Sequence, residues 1–119
     1  MRRVLLIDDD EDARCLARAA FENHGFTVLE AERAECGLQI LERADPDVVL
    51  VDYRMPGMDG LECSRRIRAR WRGPLFMLSG WADEQLPSLA LQAGADRFFR
   101  KPPQWADIAD AVVRMLDGA

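Results

Sequence analysis

Val48-Val49-Leu50-Val51-Asp52 runs four apolar residues, three of them β-branched, straight into one aspartate. An unbroken apolar run this short fits a strand buried on both faces, the environment of a parallel sheet. Turn signals bound it: Asp45-Pro46-Asp47 before, and Met55-Pro56-Gly57-Met58-Asp59-Gly60 after. Asp52 is therefore expected at the carboxyl end of a central strand, where the chain turns. Ligands of open α/β sheets bind in the crevice outside those ends. A carboxylate there is costly without a partner or a task. The bland alternative is a strand-capping aspartate that only holds a loop, and it stands unless other residues converge on Asp52.

Upstream, Arg3-Val4-Leu5-Leu6-Ile7 is a second apolar run, and it ends in Asp8-Asp9-Asp10-Glu11-Asp12. The spacing of Leu16, Ala17, Ala20 and Phe21 predicts an amphipathic helix over 13–24, with Asp10 as N-cap and Gly25 as its stop. A short strand is expected over 26–31. A helix over 33–43 follows, with Ala34, Leu38 and Leu41 facing inward. Downstream of Asp52, a helix from about Gly60 to Trp71 buries Leu61, Ser64 and Ile67. Pro74-Leu75-Phe76-Met77-Leu78 reads as the fourth strand, ending at Ser79-Gly80. Pro87 suits a first helical turn, so the next helix starts near Leu86 or Pro87 and ends by Ala93-Gly94. Ala95-Asp96-Arg97-Phe98-Phe99 is the fifth strand, broken by Lys101-Pro102-Pro103. A last helix carries Trp105, Ile108, Val112 and Met115 on one face. Five such alternations predict one α/β domain over residues 1–119 with a five-stranded parallel sheet.

Composition narrows the function. The chain has 119 residues and is 49% apolar, enough for one domain with a real core. No apolar run approaches membrane-spanning length, and Met1-Arg2-Arg3-Val4 does not resemble a signal peptide, so a cytoplasmic protein without membrane contact is expected. A net charge of −5 argues against generic nucleic-acid binding. Cys15, Cys36 and Cys63 lack CxxC spacing and read as small buried side chains, not as a metal or redox site. The basic residues are fifteen arginines and a single lysine, Lys101.

Right-handed crossovers carry the carboxyl ends of all strands to one rim. Asp8-Asp9, Asp52, Ser79 and, just past the fifth strand, Lys101 meet there. Carboxylates packed together repel, so a positive group must offset them. Lys101 is one candidate. A hard divalent cation such as Mg²⁺, held by carboxylates, a backbone carbonyl and water, is the other. Such a set suits phosphoryl transfer to a carboxylate, with Ser79 offering a hydroxyl hydrogen bond.

The acidic run has rival readings. Asp8, Asp10 and Asp12 match the first ligands of an EF-hand loop, but the required Gly falls on Ala13 and the terminal Glu on Ala19. Asp8-Asp9-x-x-Asp12 also matches the metal motif of prenyl-diphosphate enzymes, which are large and all-helical. A solvated helix N-terminus accounts for Asp10, Glu11 and Asp12 but not for the strand-ending Asp8 and Asp9.

Taken together, the pattern resembles the receiver domain of two-component response regulators, across essentially the whole chain. The matching residues are Asp8-Asp9, Asp52 with Met55-Pro56-Gly57-Met58-Asp59-Gly60, Ser79-Gly80, Ala93-Gly94-Ala95 and Lys101-Pro102. The resemblance implies a flavodoxin-like, doubly wound (βα)5 fold with strand order 2-1-3-4-5. It implies that Asp52 accepts a phosphoryl group from a phosphohistidine on a sensor histidine kinase or histidine phosphotransfer protein. Asp9, Asp52 and the Arg54 carbonyl would ligate Mg²⁺, with Asp8 acting mainly through water. Ser79 and Lys101 would contact the phosphoryl oxygens, and the Lys101–Pro102 peptide would be cis. Phe98 matches the aromatic switch position, with a plain core aromatic as its structural alternative. A homodimer through the fourth helix, fifth strand and fifth helix is also implied, and the domain would be a switch and not a turnover enzyme.

Departures from the family pattern are few. Phe98 stands where Tyr is common, Pro103 replaces a large apolar residue, and Trp81 is bulky. The segment Arg65–Arg72 holds five arginines in eight residues, read as a solvated helix face or a dock for an acidic partner. Two other functions fit less well. An aspartyl-phosphate phosphohydrolase of the haloacid-dehalogenase type finds its Asp-x-Asp in Asp8-x-Asp10, but it needs a longer chain and leaves Asp52 unexplained. A receiver-like module working without phosphorylation usually lacks one of the key residues, and none is missing here.

Overall fold

Strand and helix alternate throughout the computed structural model, which describes residues 2–81 and 83–118; the ends of the expected domain, Met1 and Ala119, lie outside the described residues. The elements are β1 (Arg3–Ile7), α1 (Glu11–Asn23), β2 (Thr27–Ala31), α2 (Ala34–Ala44), β3 (Val48–Asp52), α3 (Gly60–Arg68), β4 (Leu75–Ser79), α4 (Leu86–Gln92), β5 (Arg97–Arg100) and α5 (Trp105–Leu116). The strands form one parallel sheet in the order β2-β1-β3-β4-β5. This is the flavodoxin-like arrangement that the resemblance implies.

Side chains along a strand point alternately to opposite faces, and the apolar runs divide accordingly. Leu5, Ile7, Val49, Val51, Leu75 and Met77 pack toward α2, α3 and α4, against Leu41, Cys63, Ile67, Leu86 and Ala90. Val4, Leu6, Val48, Leu50, Phe76 and Leu78 pack toward α1 and α5, against Ala17, Phe21, Ile108 and Val112. Both faces are covered, which is why the runs carry no polar break. β3 is buried along its whole length, Asp52 included.

Several helix boundaries and faces differ from expectation. α1 starts at Glu11, because Asp10 caps it by accepting the Asp12 N–H at 3.0 Å. Leu16 lies outside its buried face, 61% exposed, and Ala17 and Phe21 carry the packing. Cys63 is buried as expected, but Cys15 is exposed and Cys36 half-buried. α3 ends at Arg68 and a turn carries the chain through Arg70 to Trp71. On α5, Met115 is exposed and Leu116 packs instead.

Candidate functional site

The carboxyl ends of β1, β3, β4 and β5 converge on one rim. Asp8 and Asp52 there are 7% and 6% exposed, and Ser79 is fully buried. Parallel pairing explains the convergence: Ile7 lies beside Val51, Asp52 beside Leu78, and Ser79 beside Arg100. Asp8 just past β1 and the terminal Asp52 and Ser79 of β3 and β4 therefore arrive at nearly the same height. Carboxylate oxygens of Asp8, Asp9 and Asp52 lie within 4.8 Å of one another. The Lys101 ammonium enters from beyond β5, bonding Asp8 Oδ2 at 2.6 Å and Asp52 Oδ1 at 3.2 Å. The Lys101–Pro102 peptide is cis.

These charges do not balance. Burial, then the neighbouring Asp8, pushes the Asp52 carboxyl up to about 7, against the opposing pull of Lys101. Lys101 moves the other way from its usual response to burial. Burial disfavours its charge, but the Asp8 hydrogen bond and the attraction of Asp52 and Asp8 outweigh this and raise its pKa. The two directions agree once the distances are considered. Lys101 is committed mainly to Asp8, at 2.6 Å, and its longer contact leaves Asp52 under-compensated. The site therefore has one buried carboxyl near neutrality and a deficit of positive charge.

Asp8 is held on every side. Its N–H donates to Ala31 O at 3.0 Å, its carbonyl accepts Arg14 Nη1 at 2.6 Å, and Oδ1 accepts the Asp10 N–H at 3.0 Å. Asp9 is exposed and has no hydrogen bond or ion pair among the described residues. It borders an open depression of about 400 Å³ shared with Tyr53, Arg54, Met55, Pro56 and Asp59. Ser79 Oγ accepts the Trp81 N–H at 2.9 Å, which leaves the hydroxyl proton free for another acceptor. Arg54, on the wall of that depression, has its guanidinium 4.3 Å from the centre of the Trp81 ring. Phe98 is half-buried, packed against the core on the α4 side, with the Arg100 guanidinium 5.4 Å from its ring centre.

Three supporting residues have contacts that the sequence does not show. Gly60 opens α3 directly against the end of β3, and a Cβ there would sit 2.4 Å from Asp52 O and 2.7 Å from Tyr53 Cα. The glycine at a helix start was the visible signal. Arg14 lies in α1 with nothing in its local sequence to mark it. Arg68, counted within the solvated run, instead donates to the carbonyls of Gly94, Trp71 and Gly73 and to Asp96 Oδ2, at 2.6–3.2 Å. It ties α3 to the loops entering β4 and β5. Arg65 and Arg66 do lie at the surface, both paired with Glu62.

A family model of the response regulator receiver domain matches residues 4–113. The chain is 34% identical over 116 residues to the transcriptional regulatory protein AfsQ1 of Streptomyces coelicolor, covering 98% of this chain and 51% of that one. It is 35% identical over 102 residues to the KDP operon transcriptional regulatory protein KdpE of Escherichia coli, covering 86% and 45%. The chain spans about half the length of the curated relatives it matches. Among solved structures, a CheY-like receiver domain from Methanospirillum hungatei superposes with a TM-score of 0.91 at 28% identity, over 99% of this chain and 95% of that one. The BeF3-activated receiver domain of Klebsiella pneumoniae RstA superposes with a TM-score of 0.90 at 26% identity, over 97% and 98%.

Proposed function

Since this chain belongs to the response regulator receiver domain family, we propose that it is a phosphorylation-driven switch of a two-component phosphorelay with Asp52 as its acceptor. The observation that carries this is the under-compensated cluster: three carboxylates within 4.8 Å, with Lys101 bonded to only two of them. In the reaction, Asp52 Oδ forms a bond to phosphorus as the bond from phosphorus to the donor's histidine nitrogen breaks. The donor is a sensor histidine kinase or a histidine phosphotransfer protein.

The donor set fits a hard cation, being all oxygen and short of positive charge. Asp9, Asp52 and the Arg54 carbonyl would hold Mg²⁺ directly, with Asp8 acting through water, and the ion supplies the counter-charge that incoming phosphoryl oxygens require. Asp9 suits this role because no group among the described residues occupies it. The Ser79 hydroxyl donates to one phosphoryl oxygen. Lys101 shifts its longer contact from Asp52 to another and keeps its bond to Asp8. Phe98, half-buried beside Arg100, is the aromatic that turns inward when Ser79 moves toward the phosphoryl group.

The whole of residues 1–119 forms the receiver domain. It acts as a cytoplasmic switch that assists its own phosphorylation and dephosphorylation, not as a turnover enzyme. A second copy would pack on the face of α4, β5 and α5, where Leu91 is 54% exposed. No helix among the described residues is long and apolar enough to cross a membrane.

Intact mass after incubation with acetyl phosphate tests the reading. One phosphoryl adduct that depends on Mg²⁺ and is lost in Asp52→Asn supports it. Continuous phosphate release from organic phosphates indicates a phosphohydrolase, and an unchanged mass indicates a module that works without phosphorylation.

A further inference from the structure

Arg14 has a place in the cation site that its position on a helix does not advertise. β1 ends at Ile7, and its pairing with β2 and β3 ends there too. The Asp8 N–H still reaches Ala31 O, but the Asp8 carbonyl lies past the last sheet partner. A carbonyl in that position needs a donor. Arg14, one turn into α1 with its side chain 14% exposed, supplies it through Nη1 at 2.6 Å. The guanidinium is itself fixed from a second direction, since Nε donates to Glu30 Oε1 at 3.1 Å on β2. The other oxygen of Glu30 pairs with Arg18. Arg14 thus clamps the Asp8–Asp9 peptide plane between α1 and β2.

That plane has unusual leverage. Asp8's carboxylate is steered independently, by Lys101 and by the Asp10 N–H. Asp9's carboxylate has no partner among the described residues, so its reach toward the site is set by where its backbone places Cα and Cβ and by its own rotamer. We propose that Arg14 is a positioning residue for the cation site: by gripping the Asp8 carbonyl it aims Asp9 toward Asp8 and Asp52. This rests on the Mg²⁺ site described under the proposed function.

Charge and positioning make opposite predictions, which gives a clean test. As a mere nearby cation, Arg14 repels Mg²⁺, so Arg14→Gln would tighten binding. As a clamp, its loss weakens binding, because groups that orient metal ligands matter at the level of about tenfold or more. The experiment is calorimetric titration of Mg²⁺ into wild type, Arg14→Gln and Arg14→Lys, with melting temperatures recorded alongside. Amide spectra of the metal-free proteins are compared at Asp9 and Asp10. The expected result is an affinity about tenfold weaker for Arg14→Gln. Arg14→Lys should lie between it and wild type, because an ammonium keeps the charge but cannot fork to both Asp8 and Glu30. The Asp9 amide should shift in both variants before any metal is added. Equal or tighter Mg²⁺ binding by Arg14→Gln overturns the proposal. Should that variant not fold, wild-type affinity in Arg14→Lys overturns it. Absence of Mg²⁺ binding by wild type instead overturns the cation site itself, and the role of Arg14 with it.

Discussion

Replacing Asp52 with Asn should stabilise the metal-free protein, although it removes the proposed phosphoacceptor. The folded protein raises the Asp52 carboxyl from 3.8 to about 7, chiefly by burial and the neighbouring Asp8. A carboxyl that is a weaker acid when folded holds its proton longer in the native state than in the unfolded chain. Stability therefore falls as pH rises between those two values, and the loss is complete above the folded one. At 1.36 kcal/mol per pH unit, ionised Asp52 costs about 4 kcal/mol above neutrality. Asn keeps the shape and sheds the charge. Its Oδ1 still accepts from Lys101, but as a neutral acceptor in place of a charged one, which costs about 1–2 kcal/mol. The net gain at about pH 8 should be about 2 kcal/mol, or about 8 °C in melting temperature for a domain of this size. Thermal or urea unfolding in EDTA, scanned from about pH 5 to about pH 8, reads it out. The gain should shrink toward the acidic end as wild-type Asp52 takes up its proton. Mg²⁺ should then stabilise wild type more than the variant. An Asn variant no more stable than wild type at the alkaline end, or a gain independent of pH, refutes the charge reasoning.

Other residues carry equally definite expectations. Lys101→Arg should fold but respond poorly to phosphorylation, because a planar fork cannot reproduce a point charge shared between Asp8 and Asp52; equal activation-linked Trp fluorescence changes in both proteins would remove Lys101 from the switch. Arg68→Ala should cost about 2–3 kcal/mol in urea unfolding, since it strands several carbonyls and Asp96, whereas the surface change Arg65→Ala should cost under about 0.5 kcal/mol. The Arg54–Trp81 pair, 4.3 Å apart, is proposed to cover the approach of an in-line water, so Trp81→Ala and Arg54→Asn should each speed loss of phosphate from Asp52; decay rates equal to wild type in both would show that the pair does not shield the phosphate.

Much of this was legible in the chain. Val48–Asp52 announced a doubly buried strand because both faces of β3 meet helices, and every helix–strand alternation followed the same local logic. Asp8, Asp9, Asp52, Ser79 and Lys101 stood out because each ends an apolar run or breaks a composition bias. What escaped depended on partners remote in sequence. Nothing near Arg68 indicates that its guanidinium meets Gly94 and Asp96. Nothing near Arg14 indicates the stranded carbonyl at the end of β1. Spacing alone places Leu16 and Met115 in the core, and residue type alone places Cys15 there. The exposed side of a helix is fixed by how it rolls on the sheet, and α1 settles on Ala17 and Phe21 instead.

The most direct test of the central claim is chemical trapping of the acyl phosphate. The protein is incubated with acetyl phosphate and Mg²⁺, reduced with borohydride and digested. A first hydride expels phosphate from an aspartyl phosphate to give the aldehyde, and a second reduces that to homoserine, which tandem mass spectrometry assigns to one position. Homoserine at position 52, absent when EDTA replaces Mg²⁺, is the predicted result. Homoserine at position 8 or 9 with Asp52 intact, or no homoserine in a protein that still binds Mg²⁺, would contradict the account.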